Sequence, residues 1–126
     1  MEIRVIVSFF RLNPSQNINL TFGVFKKQDK FIIPNQVVGD GGSISEVALK
    51  LCEQYIDADP EWLECRPITF IEPENETDLY LVYTVGVPSN VSAKGGLEWV
   101  SYADVIKNRD AFSEIHLKSL SYCTGV

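Results

Sequence analysis

The sequence predicts one α+β domain in which helices cover a mixed sheet, and three observations carry that prediction. Apolar residues follow strand periodicity in the first third, helical periodicity once near the middle, then strand periodicity again before a helical end. The 126 residues are 45% hydrophobic, which is enough to bury a core without disulfides or a structural metal. No internal repeat or composition boundary divides the chain, so residues 1–126 read as a single domain.

Each element follows from its residues. Glu2 to Phe10 is nearly continuous in Ile, Val and Phe and reads as a mostly buried strand. Arg11 to Asn17, with Asn13-Pro14-Ser15, reads as a turn or loop. Ile18 to Lys26 alternates Leu20, Phe22 and Val24 with Asn19, Thr21 and Gly23, which suits a half-buried strand, and Gln28-Asp29 makes the hairpin turn. Phe31 to Ile33 is a short third strand that Pro34 stops, because proline offers no ladder donor. Asn35 to Gly42 reads as a loop, most flexible from Gly39 to Gly42. Ser43 and Glu46 stand at the spacing of a capping box, opening a helix that runs to about Ile56. Ile44, Val47, Ala48, Leu51, Cys52 and Tyr55 form its apolar stripe, and Ser45, Lys50, Glu53 and Gln54 its outer face.

Asp57 to Pro60 ends that helix, since the residue before a proline disfavours the helical region. Pro67 to Ile71 and Leu79 to Val87 form a hairpin joined by the acidic loop Glu72 to Asp78. Ser89 to Gly96 is a second loop, Leu97 to Val100 a last short strand, and Tyr102 to Ile106 and Asp110 to Leu120 are two helical segments.

Eleven Lys plus Arg against seventeen Asp plus Glu give a formal charge of -6. Such a field repels nucleic-acid phosphates and anionic lipid, so neither is an expected partner, and the basic patch Lys26, Lys27 and Lys30 is interrupted by Asp29. Cys52, Cys65 and Cys123 form no CxxC pair and have no His placed to complete a zinc site, so reduced, inert thiols and no metal are expected. The apolar run Val5 to Phe10 is too short and polar for a secretory signal, and nothing approaches the ~20 apolar residues of a membrane span. A cytoplasmic location follows as an expectation, and the Asn-x-Ser/Thr triplets at Asn19, Asn75 and Asn90 then carry no weight. The acidic loop lacks the glycine and spacing of a calcium loop and reads as a solvated hairpin tip. His116, between Ile115 and Leu117, reads as a packing or surface residue. Trp62, among Asp57, Asp59, Glu61 and Glu64, is expected to cover the core or a sheet edge; exposed, it would anchor a basic partner.

Phe31-Ile32-Ile33-Pro34, the glycines up to Gly42 and the capped helix at Ser43 together resemble the entry to the Nudix motif. Pro34, Gly41, Ser43 and Ala48 overlay without gaps on the family's proline, loop glycine, helix-start serine and packing alanine. Leu97 to Val105, containing Trp99, looks like the family's Trp-containing segment before its last helix. The resemblance covers about Glu2 to Leu120 and implies a Nudix-like α/β/α sandwich with a mixed β-sheet.

The departures from the family pattern bear on function. Begun at Gln36, the motif places its glutamates on Gly42, Leu51, Gln54 and Tyr55, its arginine on Lys50 and its later glycine on Asp57. In the family those carboxylates hold magnesium and help activate the water that attacks a nucleoside diphosphate derivative. A hard divalent ion needs anionic oxygen ligands, which these residues do not supply. The resemblance therefore implies a catalytically degenerate domain without a cofactor, binding a nucleotide-like small molecule or a protein partner. Its cleft would lie between Asn35 to Gly42, the Ser43 helix and the segment around Glu98 and Trp99, with ligand contacts from Gly41, Gly42, Ser43, Lys50 and Trp99. The glycines also lead into a helix N-terminus, which can hold phosphate, although no Lys follows at the P-loop position.

Two alternatives stand beside this reading. A hydrolase of nucleoside diphosphate derivatives, dependent on magnesium or manganese, would recruit Glu46, Glu53 or Glu98 and would need them to face one pocket. Glu46 and Glu53 otherwise make a solvated face with Lys50 at pairing distance from Glu46. The second alternative is a small α+β interaction protein unrelated to Nudix.

Overall fold

A computed structural model of the chain describes residues 2–13, 19–74 and 76–123. The strands are β1 (Ile3–Asn13), β2 (Asn19–Lys27), β3 (Lys30–Ile32), β4 (Asn35–Val37), β5 (Glu64–Ile71), β6 (Leu79–Gly86) and β7 (Glu98–Ser101). The helices are α1 (Ile44–Tyr55), α2 (Tyr102–Lys107) and α3 (Glu114–Ser121), with 3-10 turns at Pro60–Trp62 and Arg109–Ala111. The sheet runs in the order β3-β2-β1-β6-β5, with β4 also paired to β1 and β7 to β2.

β1 has both edges occupied. It pairs in parallel with β6 from Ile3↔Leu79 to Phe10↔Gly86, and on its other edge it is antiparallel first to β4 and then to β2. Side chains alternate across a strand, so successive residues of β1 enter different cores. Val5, Val7 and Phe9 join Val47, Ala48, Leu51 and Cys52 of α1, together with Leu81, Tyr83 and Val85 of β6. Ile6 joins Phe22, Val24, Val82, Val105 of α2, and Ile115 and Leu120 of α3. Two cores on opposite faces of one mixed sheet give the expected α/β/α sandwich, and β1 is apolar from Val5 to Phe10 but for Ser8 because neither face meets water there. Ser8, which breaks that run, is buried; its hydroxyl donates to Ser119 Oγ (3.3 Å), and Ser119 donates to the His116 carbonyl (2.9 Å).

Several boundaries differ from the sequence expectation. β1 continues to Asn13 because its last four residues pair with β2; residues 14–17 of the anticipated loop and Ile18 of the strand expected after it lie outside the described residues. Asn35 to Val37, expected as loop, pair with Arg4 to Ile6, a contact that requires a partner about thirty residues away. The final helical segment is divided because Phe112 adopts an extended backbone to stack on Phe31 at 5.2 Å. Ser113 then caps α3 by accepting from the His116 amide, as Ser101 caps α2 and Ser43 caps α1. The acidic loop is not wholly free in water, since Asp78 pairs with Arg4 at 3.2 Å, while Glu72, Glu74 and Glu76 are exposed. No helix among the described residues is long and apolar enough to cross a membrane.

His116 is a structural histidine. Its Nδ1 accepts from the Ile33 amide at 2.9 Å, joining α3 to the chain just before Pro34. Burial, with a smaller contribution from Arg4, pushes its pKa down to about 4. The unfolded chain therefore takes up the proton more readily than the folded one below the ordinary value of 6.5. This contribution is complete above that value and is lost as pH falls toward about 4, a decline of about 2–3 kcal/mol in denaturation free energy. His116→Gln should flatten that part of the pH profile. His116→Leu, which leaves the Ile33 amide unpaired, should cost about 1–3 kcal/mol at neutral pH, measured by urea unfolding.

Candidate functional site

Three segments frame the α1 face of the sheet. The first is the turn before α1. Gly42 donates its amide to the Gly39 carbonyl at 2.9 Å, and a Cβ at Gly42 would meet that oxygen at 3.0 Å. Gly41 has φ +75°, a conformation that glycine adopts without strain. The glycines thus close a tight turn, and the Gly42 amide is already engaged within it. Ser43 accepts from the Glu46 amide at 3.5 Å and contacts Ser45 Oγ at 3.0 Å.

The second segment is α1. Its inner stripe packs as expected, with Ile44 and Tyr55 half-buried at the ends. Lys50, Glu46 and Glu53 are exposed on the outer face. The expected Glu46–Lys50 ion pair does not form; the ion pairs among the described residues are Arg4–Asp78 and Arg66–Glu64. Of the positions where the overlay places carboxylates, Leu51 is 2% exposed in the core. Tyr55 stacks on Phe25 with ring centroids 6.0 Å apart, and its hydroxyl accepts from Gln54 Nε2 at 3.3 Å. Apolar packing and a ring stack therefore occupy the Leu51 and Tyr55 positions.

The third segment is Pro88 to Leu97 with β7. This loop wraps the exit of α1. The Lys94 amide donates to the Tyr55 carbonyl at 2.8 Å, the Asp57 amide donates to the Ser92 carbonyl at 2.9 Å, and Ile56 bridges Ala93. Trp99 follows on β7 and packs against the α1-side core. The Arg11 guanidinium lies 4.2 Å from the Trp99 ring centroid, and its Nη2 donates to the Val91 carbonyl. Its Nε is buried without a hydrogen-bond partner among the described residues, and burial lowers its pKa. Arg11 was assigned to a loop by the sequence reading; its position after an apolar strand is the one signal that it continues the sheet.

The predicted acids do not share a face. Glu98 is in register with Val24 and alternates with Trp99, so it falls on the α2/α3 side of the sheet with Val100, away from Glu46 and Glu53. Among the described residues no three His, Cys, Asp or Glu side chains are grouped so as to hold a metal ion. Two cavities lie away from the expected cleft. One of about 290 Å³ is lined by Phe22, Tyr102, Val105, Arg109 and Leu120, and one of about 300 Å³ lies between the acidic loop and α3. Trp62, expected to cover the core or an edge, is 83% exposed: Leu63 behind it is the buried anchor, and Asp59 caps the turn by accepting from the Glu61 amide.

An α/β/α sandwich whose mixed sheet meets one long capped helix on one face and two short helices on the other defines the class. In its particulars it is the Nudix fold. The Nudix domain of Shewanella oneidensis NrtR, solved in complex with ADP ribose, superposes with a TM-score of 0.73 at 11% identity, over 98% of this chain and 86% of that one. The C. elegans Ap4A hydrolase, solved as a binary complex, gives 0.67 at 12% identity with both chains covered completely. T. brucei MERS1 in its RNA complex gives 0.66 at 9% identity, over 86% of this chain and 54% of that one. No protein-family model and no curated protein matches the sequence.

The loop around α1 depends on Gly95. Its φ is +65°, and a Cβ there would lie 2.7 Å from the Gln54 carbonyl oxygen. Gly95→Ala should cost about 2–3 kcal/mol in chemical denaturation and shift the fluorescence of Trp99 toward that of exposed tryptophan, read in a Trp62→Phe background.

Proposed function

We propose that this chain is a catalytically degenerate Nudix-like domain that binds a nucleotide-like, anionic small molecule on the α1 face. The fate of the overlaid carboxylate positions carries the reading: Leu51 is core and Tyr55 is a stacking partner of Phe25, so neither offers oxygen to a divalent ion. The position of Glu98 on the opposite side of the sheet weighs against a replacement site built with Glu46 and Glu53.

Cationic groups remain on the α1 face of an otherwise acidic protein. Arg11 is held over Trp99 with one donor unused, and Lys50 is exposed on α1. A guanidinium over an aromatic ring suits phosphate or pyrophosphate next to a ring system, and the exposed Lys50 ammonium adds a second positive charge on the α1 layer. The NrtR Nudix domain complexed with ADP ribose supports a ligand of this type on the same fold.

Calorimetric titration with ADP-ribose, with and without magnesium, tests the reading. Saturable binding that magnesium leaves unchanged, with no cleavage products by chromatography, is the expected result. Lys50→Ala should weaken it roughly fivefold, the scale of one screened charge contact. Magnesium-dependent cleavage lost in Glu46→Gln or Glu53→Gln would overturn the degenerate reading, and absence of binding would overturn the nucleotide-like ligand.

A further inference from the structure

Two cavities of nearly equal size flank α3, and their walls differ in charge. The one of about 300 Å³ beside the acidic loop is lined by Glu72, Glu74, Glu76 and Glu114, with Lys118 as its cation. The one of about 290 Å³ lies between β2, α2 and α3, and no carboxylate lines it among the described residues. Phe22, Val105 and Leu120 give it buried apolar walls. Tyr102 and Ile106, one helical turn apart on α2, line it as well, yet they are 49% and 52% exposed. The Tyr102 ring tilts against Phe22 with centroids 6.4 Å apart. Large apolar side chains left in water beside an apolar cavity mark a surface that meets something else.

The cation of this wall is Arg109. It opens the 3-10 turn after α2, and that turn is fixed by the Phe112 amide donating to the Arg109 carbonyl at 3.2 Å and by burial of the Phe112 ring. The Arg109 guanidinium makes no ion pair or hydrogen bond among the described residues. Asp104 and Asp110, its acidic neighbours in sequence, are exposed and do not line the cavity. The Ser121 hydroxyl on the same wall donates to the Lys118 carbonyl at 2.6 Å.

We propose that this cavity is a binding site for a small apolar monocarboxylate, which places its carboxylate on Arg109 and its hydrocarbon body against Phe22, Val105 and Leu120. A planar guanidinium matches a carboxylate through two parallel hydrogen bonds, and apolar walls favour a hydrocarbon over water. At roughly 30 Å³ for each molecule of liquid water, the volume holds about ten non-hydrogen atoms, the size of a medium-chain acyl carboxylate and far below that of a nucleotide. The glutamates of the neighbouring cavity repel the same ligand, so charge directs it to one of two equal volumes. The site lies across the sheet from Arg11 and Trp99 and is independent of the ligand proposed there.

Titration of the isotope-labelled chain with octanoate, followed through its amide resonances, tests this. Saturable shifts should centre on Val105, Ile106, Arg109 and Leu120, while Glu74 and Glu114 stay still. Octanol, the same chain without the charge, should bind about tenfold more weakly, the scale of one charge-assisted contact. Arg109→Gln should lower octanoate affinity by a similar factor and leave octanol affinity unchanged, and Ile106→Trp, filling the mouth from an exposed position, should remove both. No saturation up to about 10 mM octanoate, equal affinities for octanoate and octanol, or shifts centred on the glutamate-lined cavity would overturn the proposal. Resonances of Tyr102 and Ile106 that move with protein concentration alone would put a second copy of the chain there and overturn it too. The comparison of octanoate with octanol on the wild-type chain decides the matter even if a variant does not fold.

Discussion

Burial of β1 on both faces and along both edges is the constraint on which the other parts rest. A strand that is apolar on both faces through its middle can be accommodated only where a layer covers each face, so α1 is drawn to the Val5, Val7 and Phe9 side and α2 and α3 to the Ile6 side. Register is fixed at the same time, since a slip of one residue would exchange the two sets and send Ser8 away from Ser119. β4 borrows the first part of the β1 edge that β2 leaves vacant, and the Val38 amide bonds the Ile3 carbonyl. That short pairing decides where the turn before α1 begins and therefore where the helix lies.

The candidate site is an outgrowth of the same packing. The stripe that docks α1 places Leu51 in the core and Tyr55 at its rim, where the Phe25 ring from β2 meets it. What remains outside is the Pro88 to Leu97 loop, closed on the exit of α1 by backbone hydrogen bonds, and the Arg11–Trp99 stack beside it. The Arg11 guanidinium, partly withdrawn from water, is a local positive charge in an acidic protein's field.

The inner stripe also holds Cys52, which fills its place as a small apolar residue would. The Trp62 turn leads from α1 to β5 and presents the most exposed large apolar side chain among the described residues.

By itself the sequence determined the features that depend on neighbours in the chain: the period-2 strands, the Gln28-Asp29 turn, the Ser43 cap and the α1 stripe from Ile44 to Tyr55. On the overlay begun at Gln36 it also puts Gly, Leu, Gln and Tyr at 42, 51, 54 and 55, the ground of the proposed degenerate reading. Tertiary structure decided what depends on distant partners. Asn35 to Val37 became a strand because Arg4 to Ile6 had a free edge, Phe112 broke a helix to reach Phe31, and Trp62 stayed in water because Leu63 took the buried place. Arg11 met Trp99, and Glu98 turned away from Glu46 and Glu53, for the same reason. Periodicity fixes which side of an element a residue occupies, whereas only the pairing of elements fixes what stands opposite.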